Sequence, residues 1–154
     1  MTDIWSKEKR SEVMSLIRSR GNKATELRLI EIFREHDITG WRREQRLIGK
    51  PDFTFRRERV VVFVDGCFWH GCPKCYKRPK SNRKFWDEKI AANRKRDRYV
   101  GRELRREGWK VVRIWQHQLV KASRVAGSVV RALKMTEDRE NSFLSVTRKK
   151  LLKK

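Results

Sequence analysis

Residues 62 to 76 read VFVDGCFWHGCPKCY and hold all three cysteines of the chain, one histidine and an adjacent Phe-Trp pair. Cys67, Cys72 and Cys75 are spaced C-x4-C-x2-C. Thiolates two residues apart can chelate one ion from a tight turn, and zinc takes four sulfur or nitrogen ligands in a tetrahedron. Three cysteines leave one ligand to find among His36, His70 and His117. His117 follows an alternating stretch that ends at Trp115, which could lie beside the strand ending at Val64. Both strands would then deliver ligands to one sheet edge. The expected zinc set is Cys67, Cys72, Cys75 and His117. The alternative is three unrelated buried thiols.

The acids suggest a second chemistry. GKPDF, residues 49 to 53, puts Asp52 on a strand directly after a proline, and Asp is disfavoured in strands. Such an Asp is either a turn neighbour or a metal ligand. The next strand ends in Asp65. If the two pair as a hairpin, Asp52 lies close to that end, and carboxylates there would hold Mg²⁺, which takes hard oxygen ligands and keeps waters. Pro-Asp opening a strand, a helix upstream and a second acid ending the next strand form the layout of the PD-(D/E)xK nuclease fold. The lysine usual after the second acid is absent, because Asp65 is followed by Gly66 and Cys67. A different base must serve, and His70 is the histidine in that loop.

The elements that must position these groups follow from periodicity. Residues 6 to 20 read as a basic helix with Val13, Met14 and Ile17 on one face, ended by Gly21. Asn22 or Thr25 starts a second helix carrying Leu27, Ile30, Ile32 and Phe33, which stops near His36-Asp37. Strands are expected at Trp41 to Leu47, Pro51 to Phe55 and Arg59 to Val64, with Arg56-Arg57-Glu58 as a hairpin turn. The cysteine stretch is a loop. Ser81 or Asn82 caps a long basic helix running to about Arg106, with Trp86, Ile90, Val100 and Leu104 as its apolar face and Gly108 just past its end. Trp109 to Trp115 alternates as a strand with Val111 and Val112 inside, and a helix spans about Leu119 to Leu133. These elements make a mixed α/β domain over residues 1–135. The tail, 136–154, is basic and suited to ordering on a partner.

Length and charge narrow the partner. The chain of 154 residues is one domain's worth and can bury a real core without disulfides. Its 41 Lys and Arg against 19 Asp and Glu give a formal net charge of +22, which calls for a polyanion. Nucleic acid is favoured because each Lys/Arg–phosphate contact releases counterions; an acidic membrane surface is the rival. No segment reaches the roughly 18 apolar residues of a membrane span, and MTDIWSKEKR has no signal-peptide apolar core. The expectation is a cytoplasmic, nucleoid-associated protein whose cysteines stay reduced.

From about Lys9 to His117 the chain resembles the very short patch repair endonucleases, the Vsr family. The likeness rests on RSEVMSLIRSRGNKATELRL, GKPDF, VVVFVDGCFWHGCP, FWDEKIAANRKRD and GWKVVRIW. The resemblance implies a restriction-endonuclease-like fold, of PD-(D/E)xK type with a mixed sheet flanked by helices, and a structural Zn²⁺. It also implies Mg²⁺-dependent nicking of double-stranded DNA on the 5′ side of the thymine in a T:G mismatch, the lesion left when 5-methylcytosine deaminates. Asp52 then matches the metal-binding aspartate, Val64 a metal-binding backbone carbonyl and His70 the active-site histidine. Asp65 matches a position near the metals that is Asp or His in the family, and Glu26 a glutamate at the rim of the site. Phe68, Trp69 and Trp86 match aromatics that wedge beside the mismatch. Cys67 and Cys72 match zinc-ligand positions. Many members have His near Cys75 and Cys where this chain has His117, so the two ligand types stand exchanged, which keeps three sulfurs and one nitrogen. Met14, Ile17, Lys89 and Arg94 are further candidate DNA contacts, the first two on a DNA-contacting helix within residues 1–21. A monomer is expected, with a mismatch-repair protein as a possible partner.

Two other readings stay open at this level. One is a non-catalytic, zinc-dependent DNA-binding module, which keeps the charge and the zinc but gives Asp52 no task. The other is a nickase of the same fold with a different or broader substrate. Phe68-Trp69 and Trp86 could also be ordinary core, and most Lys/Arg of residues 83 to 106 a solvated or phosphate-facing side.

Overall fold

A computed structural model describes residue 6 and residues 23–135. The helix expected over residues 6 to 20, with Met14 and Ile17, and the tail at 136–154 lie outside the described residues. A π-turn, Lys23–Leu27, leads into α1, Arg28–Glu35. Four strands follow, β1 Trp41–Arg42, β2 Phe53–Phe55, β3 Val60–Asp65 and β4 Lys110–Trp115. Between β3 and β4 runs α2, Arg83–Arg106. A 3₁₀ turn, Gln116–Val120, follows β4, and residues 122–135 form α3.

The sheet order is β1-β2-β3-β4. β1, β2 and β3 pair antiparallel, and β3 pairs parallel with β4 from Val60↔Lys110 to Asp65↔Trp115. The parallel pair puts Asp65 and Trp115 level, so the loops leaving both strands start at one edge.

Burial explains the layers. β3 is buried at five of its six positions, as a strand covered on both faces should be. Val60 and Val62 pack with Leu29, Ile32 and Phe33 of α1 and Val125 and Val129 of α3, whereas Val61 and Phe63 pack with Val100 and Leu104 of α2. Adjacent residues of one strand thus serve opposite cores, by the two-residue period of the pleat. The sheet lies between α1 and α3 on one face and α2 on the other.

Several boundaries differ from the periodicity reading. The first strand is only Trp41–Arg42, and residues 43 to 49 turn through positive φ at Glu44 and Gly49. A Cβ on Gly49 would stand 2.3 Å from Val100 Cγ1, so this turn is glycine's for space as well as dihedral angle. The second strand begins at Phe53, which leaves Asp52 just ahead of it rather than on it. Asn82 does precede α2, but with φ 49° and no side-chain cap bond. The last helix is interrupted at Lys121, because the chain first makes the 3₁₀ turn that carries His117. Val111 and Val112 are half-buried, and Ile114 is the fully buried residue of β4.

Candidate active site and metal centre

The loop after β3 is wound into tight turns. His70 N–H donates to the Gly66 carbonyl at 3.1 Å, Gly71 N–H to Phe68 at 3.2 Å, Cys72 N–H to Cys67 at 2.8 Å and Tyr76 N–H to Cys72 at 3.0 Å. Gly71 has φ 61°, and a Cβ there would sit 2.6 Å from Ile90 Cγ2 and 2.7 Å from Arg94 Nε. α2 braces the loop from the side. Asn93 Nδ2 donates to the Trp69 carbonyl at 2.8 Å, and Arg94 Nη2 to the Gly71 carbonyl at 2.5 Å. Arg94, a candidate DNA contact by sequence, therefore holds the loop, while Lys89 is exposed.

Cys67, Cys72, Cys75 and His117 converge, with one ligand atom of each within 4.8 Å of all the others. His117 Nδ1 lies 3.3 Å from Cys67 Sγ and 3.6 Å from Cys72 Sγ. A tetrahedral zinc with bonds of about 2.3 Å to sulfur and 2.0 Å to nitrogen has sulfur–nitrogen edges of roughly 3.5 Å. The donor set fits such an ion. Burial and the neighbouring thiols push Cys67 up to about 11, against a backbone hydrogen bond from His117. Burial acts the same way on Cys72, but backbone N–H groups of Lys74 and Cys75 outweigh it and bring that thiol below its ordinary value. Gln118 accepts the Trp115 N–H at 2.8 Å, which fixes the turn presenting His117.

The Asp52 site is assembled at the same end of the sheet. Val64 N–H donates to Asp52 Oδ2 at 2.7 Å. An extension of the Phe53↔Val62 ladder would set Pro51 opposite Val64. In such a pair the N–H and C=O of one residue point the same way. Pro51 has no N–H to offer, so the proline of GKPDF cannot take the Val64 carbonyl, while Asp52 takes its amide. Glu26 is nearly fully buried and ion-paired with Arg43. Burial is the main cause that raises Asp52 to about 6, with the charges of Glu26 and Asp65 adding to it. A carboxyl held this way gains from a cation. Asp52 and the Val64 carbonyl could hold a hard cation such as Mg²⁺, with waters filling the rest of its shell.

His70 is fixed by Asp97, a partner outside the candidate set read from the sequence. Its Nδ1 lies 2.6 Å from Asp97 Oδ2 and 3.7 Å from Asp65 Oδ1. Burial pushes the imidazole pKa down, but the Asp97 hydrogen bond and the two carboxylates prevail and raise it. Burial pushes Asp97 up, and His70 and Arg113 more than reverse this. Asp65, 3% exposed, is raised by burial against the pull of Arg113, which donates from Nη1 to both of its oxygens at 2.8 and 2.7 Å. The signal for Asp97 was in the helix period. Ile90, Asn93, Asp97, Val100 and Leu104 share one stripe of α2, so its two polar members face inward, toward the loop that follows β3. Arg113 interrupts the strand Val111-Val112-Arg113-Ile114 in the same way.

The aromatics form one cluster. Phe68 meets Trp69 at 5.3 Å and Trp86 at 5.2 Å, and Trp69 meets Trp86 at 6.0 Å between centroids. All three are half-buried. Tyr76 closes one side at 5.8 Å from Phe68, and Phe85, 57% exposed, the other at 5.2 Å from Trp86. Neither flanking ring was singled out in the sequence. Among the described residues no helix is long and apolar enough to cross a membrane.

A family model described as DNA mismatch endonuclease Vsr matches residues 2–77. The type II nicking enzyme V.NmeDIP of Neisseria meningitidis serogroup C is 37% identical over 131 residues, 84% of this chain and 88% of that protein. The DNA mismatch endonuclease Vsr of Escherichia coli (strain K12) is 36% identical over 118 residues, 75% of this chain and 74% of that protein. The type II nicking enzyme V.NaeI of Lentzea aerocolonigenes is 45% identical over 69 residues, 45% of this chain and 42% of that protein. The family match ends at residue 77, so Asp97, Arg113 and His117 lie beyond it.

Proposed function

The chain belongs to the Vsr family of DNA mismatch endonucleases, and on that premise we propose that it hydrolyses one phosphodiester of duplex DNA, 5′ of the thymine in a T:G mismatch. The fold would be a restriction-endonuclease-like member of the PD-(D/E)xK type. The observation that carries the reading is that Asp52, bonded to the Val64 N–H, and the Asp97–His70 pair both interact with Asp65 at the end of β3.

Asp52 and the Val64 carbonyl would hold Mg²⁺, which when bound offsets charge on the phosphate and on the oxygens that attack and leave. His70 has Nδ1 committed to Asp97, so its Nε2 is the nitrogen left to take a proton from water. A carboxylate behind the imidazole holds one tautomer and one ring direction, as in other His-based sites. Asp65 and Glu26 would supply charge around the metal, with Asp65 tied to Arg113 and Glu26 to Arg43. Zn²⁺ in the Cys₃His group would be structural, since all four positions of a tetrahedron are filled by side chains and none is open for substrate. It would lock the turn that holds His70 between Phe68-Trp69 and Cys72. Phe68, Trp69 and Trp86 would enter the base stack, a step that costs a few kcal/mol and least at a mispair.

The names of three relatives favour a second form of the same chemistry. V.NaeI, V.NmeDIP and V.NmeAIP are each called type II nicking enzymes, which supports strand-specific nicking and leaves the flanking sequence to each protein. One assay tests both. Matched, T:G and other mismatched duplexes are incubated with the protein and Mg²⁺, and the cut is mapped on each strand. A nick 5′ of the mispaired T, much slower on matched duplex, is expected. Equal nicking of both duplexes leaves a nuclease without mismatch specificity, and tight binding with no nick leaves the non-catalytic module.

A further inference from the structure

We infer that Arg113 is a positioning residue for His70, acting by holding Asp65 and Asp97 in place; the inference rests on the nuclease reading above. Arg113 stands on β4 beside Phe63 of β3, and its guanidinium lies over the Phe63 ring at 4.6 Å from the centroid. From there it spans from the sheet toward α2. Nη1 donates to both oxygens of Asp65 at 2.8 and 2.7 Å, and Nη2 lies 3.6 Å from Asp97 Oδ1. The other Asp97 oxygen, Oδ2, is the one 2.6 Å from His70 Nδ1. The four groups close a ring, two carboxylates alternating with a guanidinium and an imidazole.

The ring settles a competition. Two carboxylates within reach of one Nδ1 offer the imidazole two orientations, and two neighbouring anions repel each other where solvent is scarce. Arg113 occupies both oxygens of Asp65, which leaves that carboxylate 3.7 Å from Nδ1 while Asp97 makes the short bond. The ring then has one partner, and the direction of Nε2 is set. A planar fork with donors on separate nitrogens can face two carboxylates at once, and its flat side suits an aromatic ring; an ammonium group has neither property. Arg113 is three-quarters buried at its side chain, and its guanidinium reaches both Asp65 and Asp97.

The test uses the full chain, Mg²⁺ and a T:G duplex, with single-turnover nicking at saturating protein and duplex Kd measured without Mg²⁺. Arg113→Met is expected to lose about 10–100-fold in nicking rate, the scale of a displaced catalytic group, with Kd within about threefold of wild type. Arg113→Lys, which keeps charge but not the fork, is expected to fall between the two. A wild type that nicks while Arg113→Met nicks within about threefold of it overturns the inference and leaves the nuclease reading standing. A loss carried equally by Kd overturns it too, since Arg113 would then be a DNA contact. If Arg113→Met does not fold, Arg113→Lys decides: a slower nick at unchanged Kd supports the brace, and a wild-type rate overturns it. A wild type that nicks no duplex takes down the nuclease reading and the inference together.

Discussion

Cys67, Cys72, Cys75 and His117 bring four ligand atoms within 4.8 Å of one another, whereas the Asp52 site at the same end of the sheet has one carboxylate, held by the Val64 N–H. The first set fills a tetrahedron by itself. The second, if it holds Mg²⁺ as proposed, would need waters and a DNA phosphate to complete it. On the proposed reading the difference would separate what holds the molecule from what works on substrate: a closed metal site adds folding energy, and an open one keeps room for chemistry. The two are joined by sequence, because His70 and the Phe68-Trp69 pair lie between Cys67 and Cys72.

The contrast breaks first if the closed set is not structural. Replacing Cys72 with Ala should release one zinc per chain and lower stability by several kcal/mol. The effect should stay below the ~10–16 kcal/mol of zinc-finger peptides, because this sheet has its own core. Elemental analysis with thermal melting reads both. Native, fully folded protein without metal would dissolve the distinction.

The open site should fail differently. Asp52→Ala is expected to lower nicking by about 10³-fold or more, about 4 kcal/mol of barrier, with melting temperature and duplex Kd close to wild type. His70→Ala should cost roughly 10²–10⁴-fold, and a loss under tenfold would make that residue a support. If Asp52→Ala cuts at the wild-type rate, the catalytic assignment is wrong.

The same carboxyl should show its burial in stability. Its folded pKa of about 6 lies above the ordinary 3.8, so between those values the folded state keeps a proton that the unfolded state has released. Without Mg²⁺, stability from this group therefore falls as pH rises through that window and stays lower above it. Asp52→Asn should stabilise the Mg²⁺-free protein by about 1–3 kcal/mol at pH 7 and by little at pH 4. Denaturant melts at both pH values decide, and an equal gain at each would remove burial as the cause.

The smallest expected effect concerns the rings mounted by the closed site. Phe68→Ala or Trp69→Ala should reduce the preference for T:G over matched duplex by about tenfold, in line with ~1–3 kcal/mol per stacked base. General affinity, supplied by Lys and Arg, should change less. Nicking ratios on the two duplexes at moderate salt measure it, and an unchanged ratio would return these rings to the core.

Much of this was legible residue by residue. Cys67, Cys72 and Cys75 are close because the chain between them is short, and β3 showed as an unbroken apolar run because both its faces are covered. His117 was reached by setting the strands ending at Val64 and Trp115 side by side, and the register Val64↔Ile114 places them so. The strand expected over Trp41 to Leu47 stops at Arg42, because the polar run Arg43-Glu44-Gln45-Arg46 turns through a positive φ at Glu44. Asp97 sits in a basic helix and Arg113 in an alternating strand, where a charged residue normally means a solvated face, so their inward roles are not legible from residue type alone.

By itself the sequence determined the ligand types, the Pro51-Asp52 step that leads into β2, and the polyanion the surface suits, because each depends on residue chemistry or on spacing within a few positions. Only the tertiary structure decided which partner each group meets. The Asp97–His70 bond joins residues 27 apart, Arg113 and Asp65 are 48 apart, and Cys67 and His117 are 50 apart. Those distances along the chain are closed by the packing of α2 and the parallel pairing of β3 with β4. A stripe on a helix names the side chains that can face inward, but its rotation against the sheet selects what they touch.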